Sequence, residues 1–487
     1  MISYSKIEKL KKNIKNLFSK EKDVISFNFV GSSNVNKKIS EISDIDLVLI
    51  LEKLNIKKFI YFNKLIQKID LNRLRLNKFK IKINNTFGPL KFSERNIIVI
   101  HLMIYDLKSH YQHTIKSPFT CYDWENSNNF YGIQLKNLYP VRKLQPMDFF
   151  KSRRTVANYI SDLETNSITY RELKFIKNKL VQKKRYYKIN DTLRVEYAYH
   201  IIKFLLHNDI KLEEGKNTQL IQKKIENKIL FYSKNKKDFL INLKRYNVIR
   251  NIKLKKLEYT PTWVMNWTKK FIKQYDLIFK NKWNNSKSIY FIRHYKTKKN
   301  DGSFLGQNID PDILKSEINK HNRNNINLNI DSVYSSKLLR SISTAKLFFP
   351  KKKLIIYDEL NEIDYGEADG MKFDQFRKKY PSIIDKWYLK KDPRFPKGEN
   401  SGDVLKRVKK MLKILSKTKK NKIAIITHNV FLKCLFTDIF NLKIQDAYKL
   451  NIEHGKVYEF KIFENKLYPN IDRELFSNVF SNLNHKI

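Results

Sequence analysis

Glycine is scarce. The chain has eleven in 487 residues, about 2% against a usual ~7%, which excludes collagen-like and glycine-rich low-complexity chains and makes each remaining glycine a marked position. Two cysteines, Cys121 and Cys434, cannot build a disulfide framework and are too few for a cysteine-based zinc site. No stretch approaches ~20 uninterrupted apolar residues. The opening MISYSKIEKLKKNIKNLF is broken by lysine every few positions and lacks the apolar centre of a secretory leader. These shortages lead to the expectation of a cytoplasmic protein with no membrane span. Acidic residues are also few: 48 Asp+Glu stand against 98 Lys+Arg, a formal charge of +50.

What is present argues for folded domains. Hydrophobic residues make up 41% and aromatic residues 13%, enough for real cores, and the length suggests two to four domains at roughly 150 residues each. A strongly positive surface attracts phosphates, nucleotides, nucleic acid or anionic lipid in a salt-dependent way. The lysines are spread along the chain rather than gathered in a tail, and Lys, Asn, Ile, Tyr and Phe share A/T-rich codons, so genomic composition is a second source of the charge.

Periodicity divides the chain. Residues 7–18 have helical spacing, and 25–30, 44–51, 79–83 and 96–105 read as strands of a small mixed sheet. From about 150 to 283 long lysine-rich segments have helical periodicity and almost no glycine. After the polar NKWNNSKS, the runs SIYFI, DSVYSS, KLIIYDE and NKIAIIT alternate with helical stretches, which implies a mostly parallel sheet. The expected organisation is multidomain α/β: a small mixed-sheet domain over 1–149, a helical middle over 150–285, an α/β domain over 286–466 and a tail over 467–487.

The third segment carries the strongest chemistry. Arg293 and His294 follow SIYFI, and His428 ends NKIAIIT; the C-terminal ends of strands are where open α/β sheets bind ligands. Arg340 in YSSKLLRSISTA and Glu362 in ELNEIDYGEADGM lie between them. Two imidazoles, two guanidinium groups and a carboxyl supply what phosphoryl transfer through a phosphohistidine needs without a metal. A neutral ring attacks phosphorus, cations hold the equatorial oxygens and an acid protonates the leaving alkoxide.

The series resembles the histidine phosphatases, the phosphoglycerate mutase-like superfamily. Arg293, His294 and Thr297 match its RHGxT start, and NDGSFLGQNIDP, with Asn300, Gly302, Phe304, Gly306 and Asp310, its following loop. YSSKLLRSISTA, ELNEIDYGEADGM, PKGENSGDVLKRV and THN match its later segments in order. The resemblance implies a three-layer α/β/α domain in which His294 is the nucleophile and Glu362 the proton donor. Arg293, Arg340 and His428 would form the phosphate pocket, with Asn300 and Thr297 at its side. Tyr295 stands where the family has glycine and Lys296 where a polar or acidic residue is usual, so the turn must accommodate a ring and the pocket mouth gains a cation.

The first segment offers a second site. In FVGSSNVNKKISEISDIDLVLIL, Gly31, Ser32 and Ser33 follow a strand, and Asp44 and Asp46 are spaced i, i+2 so that both carboxylates face one side. Such a pair can bridge Mg²⁺ ions around a triphosphate, while the Gly-Ser turn offers N–H groups and hydroxyls to phosphates. This resembles the polymerase-beta-type nucleotidyltransferases, whose third carboxylate is expected on a later strand. In IIVIHLMIYD the corresponding position is taken by His101, and Asp106 has the opposite parity. His110, His113, Asp123, Trp124 and Glu125 are candidates to line a neighbouring substrate pocket.

The sequence therefore predicts a bifunctional enzyme. One part would be a metal-independent phosphomonoesterase, the other a Mg²⁺-dependent nucleotidyltransferase acting on a small phosphorylated metabolite, such as a sugar or polyol phosphate, with a nucleoside triphosphate. The competing readings are an RNA end-processing or nucleic-acid-binding protein and a non-catalytic scaffold.

Overall fold

The computed structural model describes residues 4–31, 44–89, 96–125, 127–176, 179–215, 221–255, 259–324 and 328–483. Ser32 and Ser33 lie outside them. The chain divides into two compact units, Met1–Asn281 with His485–Ile487, and Lys282–Asn484.

In the first unit β1 (Val24–Val30), β2 (Ile45–Leu51), β3 (Lys80–Asn84), β5 (Ile97–Asp106) and β6 (Phe130–Gly132) form a sheet in the order β3-β5-β2-β1-β6. β2, β5 and β3 run parallel, and β1 is antiparallel to both of its neighbours, β2 and β6. β2 and β5 are apolar on both faces because helices and loops cover both sides, as parallel neighbours require. The helix Tyr4–Phe18 packs Ile7, Leu10, Ile14 and Phe18, a stripe at helical spacing, into the same core.

The segment expected to be a helical middle shares this unit, and it contains strands. β7 (Ser167–Ile176) and β8 (Lys179–Lys188) make a long hairpin, with β4 (Thr86–Phe87) on its edge. The expectation fails here because the hairpin is largely solvent-facing, with Tyr186 63% exposed. Charged residues and tyrosines interrupt the apolar residues on both faces, and no clean apolar alternation survives to be read. The helices Asp191–Glu214, Gln222–Phe231, Lys236–Lys255 and Trp263–Asn284 follow as expected. No helix among the described residues is long and apolar enough to cross a membrane.

The second unit is built on a six-stranded sheet of β9 (Lys287–Arg293), β10 (Ser332–Ser335), β11 (Leu354–Ile356), β12 (Lys422–Thr427), β13 (Val457–Phe463) and β14 (Lys466–Pro469), in the order β11-β10-β12-β9-β13-β14. The first four are parallel, and β13 is antiparallel to both β9 and β14. Alternate residues of β9 and β12 feed two cores. Ile289, Phe291, Ile423 and Ile425 meet Val404, Val408, Leu432 and Leu435 on one side. Ile292, Ala424 and Ile426 meet Ala345, Phe348 and Phe349 on the other. Helices thus cover both faces, and the C-terminal ends of β9 and β12 are left as an open edge. The residues expected as a tail from 467 belong to this unit: β14 completes the sheet, and the helix Arg473–Val479 brings Phe476, Val479 and Phe480 into the core beside Phe436 and Phe440.

Candidate active site

The ladder between β9 and β12 pairs Arg293 with Thr427, and the next step, His294 N–H to Thr427 O at 3.0 Å, carries the pairing one residue further. His294 and His428 consequently leave adjacent strand ends together, with ring centroids 5.0 Å apart. His294 Nδ1 lies 2.7 Å from the Tyr295 carbonyl oxygen. A carbonyl can only accept, so Nδ1 holds the proton and Nε2 presents a lone pair. Burial, then the charges of Arg340 and Arg293, hold this imidazole well below its ordinary pKa. The ring is a neutral nucleophile at physiological pH.

His428 is held through its other ring nitrogen. Its Nε2 lies 2.6 Å from Ser336 Oγ, an oxygen that also accepts from Leu338 N–H at 3.3 Å; with the hydroxyl proton given to Nε2, the neutral ring carries its own proton on Nδ1. His428 Nδ1, Arg293 Nε and Arg340 Nε are all buried and find no acceptor among the described residues. The remainder of each guanidinium is held. Arg340, with 0% exposure, donates to Gly306 O at 2.7 Å and Asp310 Oδ1 at 3.0 Å, and Arg293 donates to Ile452 O at 2.5 Å. Burial lowers the pKa of Arg293 to about 10, which leaves it cationic at neutral pH.

Glu362 completes the group. Its carboxylate accepts from Ile363, Asn429 and Val430 N–H, each at 3.0 Å, the last two from the start of the helix Asn429–Ile439. Burial outweighs these bonds and the two arginines, and its pKa is raised. A lone-pair nitrogen, three orphaned donors, two fixed cations and a carboxyl with raised proton affinity therefore share one crevice. Residues 289–470 match the histidine phosphatase superfamily (branch 1).

The second unit carries a histidine phosphatase superfamily domain. A fructose-2,6-bisphosphatase of Saccharomyces cerevisiae is 30% identical over 133 residues, 26% of this chain and 27% of that protein. The 6-phosphofructo-2-kinase/fructose-2,6-bisphosphatase 4 of Rattus norvegicus is 27% identical over 158 residues, 31% of this chain and 32% of that protein. The chain thus spans about a third or less of the length of these relatives. Among solved structures, the alpha-ribazole phosphatase of Shigella flexneri is 20% identical with a TM-score of 0.35, covering 38% of this chain and 95% of that one.

Within the histidine phosphatase domain, the sequence candidates separate into two groups. His294, His428, Arg293, Arg340 and Glu362 converge. Thr297 and Asn300 instead brace their own loop, Asn300 Oδ1 accepting from Thr297 N–H at 2.7 Å. Tyr295, the ring in place of glycine, is accommodated from across the crevice: a Cβ on Gly455 would lie 2.2 Å from Tyr295 Cε1, and Gly455 has φ +66°. Glycine at 455 leaves the room that this ring occupies. His454, next to it, was not found by sequence reasoning. Its Nδ1 lies 3.0 Å from the His294 carbonyl oxygen and its ring 5.2 Å from that of His294; burial and Arg293 push it down to about 4. Its only sequence signal was a His-Gly pair before a strand, and that strand, β13, was itself unread.

The first unit assembles a different cluster. The parallel pairing of β2 with β5 sets His101 opposite Asp46, and single ligand atoms of Asp44, Asp46 and His101 lie within 4.8 Å of one another. His101 Nδ1 is 2.8 Å from Asp46 Oδ1, and Nε2 is 2.6 Å from Thr86 O. Burial opposes a charge on the ring, but Asp46 and Asp44 outweigh it and its pKa is raised. Gly31, with φ +73°, lies against Asp46: a Cβ there would be 2.0 Å from Oδ2. Asp106, out of parity, caps the helix Leu107–Lys116 instead. His101 thus stands at the third position, as its place in IIVIHLMIYD indicated, and an imidazole departs from the oxygen donors that Mg²⁺ prefers. The suggested neighbouring pocket does not form as a group. Asp123 pairs with Lys211 at 2.5 Å, Glu125 accepts from Val141 N–H at 2.8 Å, and His110 and His113 are buried beside Tyr105, with His113 stacked on Trp124.

Proposed function

We propose that the protein hydrolyses phosphomonoesters through a phosphohistidine at His294. The observation that carries this is the set of three buried, unpaired donors, His428 Nδ1, Arg293 Nε and Arg340 Nε, gathered around a neutral imidazole. In the first step Nε2 of His294 attacks phosphorus and the ester P–O bond breaks. The orphaned donors hold the equatorial oxygens, and Glu362 gives its proton to the leaving alkoxide. In the second, Glu362, now a carboxylate, takes a proton from water as that water attacks phosphorus. The P–N bond breaks and inorganic phosphate leaves.

The substrate in this reading is a small sugar phosphate, with fructose 2,6-bisphosphate the first candidate from the names of the relatives. Lys296 and Lys433, the latter pushed down to about 8 by burial and Arg293 yet still cationic at neutral pH, supply positive charge for a second phosphate. A panel of fructose 2,6-bisphosphate, fructose 6-phosphate, phosphoserine and a 5′-phosphorylated oligonucleotide tests it by phosphate release. The bisphosphate should give the highest kcat/KM. Equal or better turnover of the oligonucleotide would favour the RNA end-processing reading.

For the first unit the reading is nucleoside triphosphate binding at Gly31 beside Asp44 and Asp46, with transfer to a phosphorylated metabolite. The close approach of the Gly31 backbone to Asp46 supports it, because it brings the glycine of the Gly-Ser motif to the carboxylates of the Asp-Ile-Asp motif. Calorimetry with the four ribonucleoside triphosphates tests it; an absence of binding by wild type would overturn it.

A further inference from the structure

We propose that Asp44, Asp46 and His101 form a site for a transition-metal cation such as Mn²⁺, Co²⁺ or Zn²⁺, in preference to Mg²⁺, with His101 Nδ1 as the third ligand. It rests on the nucleotide reading of this unit only for what the ion would serve. The ladder places Asp46 and His101 side by side, Asp44 shares the face of Asp46, and the three ligand atoms fall within 4.8 Å of one another.

The tautomer sharpens the case. The Thr86 carbonyl oxygen, 2.6 Å from Nε2, can only accept, so Nε2 keeps its proton and Nδ1 turns its remaining position to Asp46 Oδ1 at 2.8 Å. A bare lone pair facing a carboxylate oxygen at that distance is repulsive, and a positive centre belongs between them. That centre is either a second ring proton or a metal ion. A proton joins the ring to one carboxylate, whereas a cation joins it to both, and both are present. A backbone carbonyl on the far nitrogen is also the outer support that metal-bound imidazoles have, fixing the ring and raising its basicity. The Gly31 backbone packs against the second oxygen of Asp46, where a Cβ would stand 2.0 Å from it. One nitrogen among the donors moves the preference away from Mg²⁺, which holds to oxygen and water, toward metals that accept imidazole.

The test is titration of the full-length protein with Co²⁺, read by its visible absorption bands as the difference between wild type and His101→Ala, so that the other histidines cancel. One equivalent should bind with His101-dependent bands that a large excess of Mg²⁺ does not remove. His101→Ala should lose more affinity than the roughly 10–100-fold that removal of an outer partner costs. His101→Asp, which rebuilds an all-oxygen set, should keep the fold and shift preference toward Mg²⁺ in competition calorimetry. Identical Co²⁺ spectra in wild type and both variants, or no bound equivalent in wild type, would overturn the proposal and leave a buried His–Asp ion pair. Nucleotide calorimetry is run separately. His101-dependent Co²⁺ bands without nucleotide binding uphold the metal site and sink the nucleotide reading; Mg²⁺-dependent nucleotide binding without those bands does the reverse.

Discussion

The protonation states of two side chains set when the phosphatase crevice can work. His294 must be neutral to attack, and its depressed pKa keeps it so from well below pH 6.5 upward. Glu362 must be protonated to give a proton, and its raised pKa extends that state above the ordinary carboxyl range. Activity is therefore present below the Glu362 pKa and lost as pH rises through it, while the His294 limb lies at acid pH. Glu362→Gln should lower kcat/KM on an alkyl phosphate by about 10²- to 10⁴-fold, lose less on an aryl phosphate whose leaving group needs no proton, and remove the alkaline fall. An alkaline fall that persists in the variant would assign it to another group. The five converging residues were legible because each closes a motif at a strand or helix boundary. His454 and the packing of Gly455 against Tyr295 were not, because they depend on a loop brought across from β13.

Strands and helices with continuous apolar runs were legible for the same reason that they are buried. β2, β5, β9 and β12 carry such runs, and their expected and observed limits nearly coincide. The hairpin β7/β8 was missed because charged and tyrosine side chains interrupt the apolar ones on both faces, and the last helix because only Phe476 and Val479 of its short span are buried. That helix makes a stability prediction. Phe476 is 3% exposed and its ring lies 5.0 Å from that of Phe440, so Phe476→Ala should destabilise the second unit by about 3–5 kcal/mol, measured by denaturant unfolding. A change near zero would mean that the segment does not stabilise the unit.

The molecule carries a site proposed to work without a metal in one unit and a candidate metal cluster in the other, under a formal charge of +50. If that charge reflects composition alone, tRNA or short oligonucleotides should bind weakly at ~50 mM salt and dissociate by ~200 mM, with no saturable complex at the upper end. A dedicated track of six to ten phosphate contacts loses about 10³- to 10⁵-fold over that range and would reveal itself by tight binding at the low end. The whole chain also allows the two chemistries to be told apart in one sample. Full-length protein is mixed with fructose 2,6-bisphosphate labelled in its 2-phosphate, in the presence of a chelator, quenched in base and analysed for protein-bound phosphate. The expected result is a base-stable, acid-labile phosphoenzyme in wild type and none in His294→Ala, with chelator making no difference. Undiminished phosphate release by His294→Ala, or release that stops on chelation, would contradict a phosphohistidine mechanism at this site.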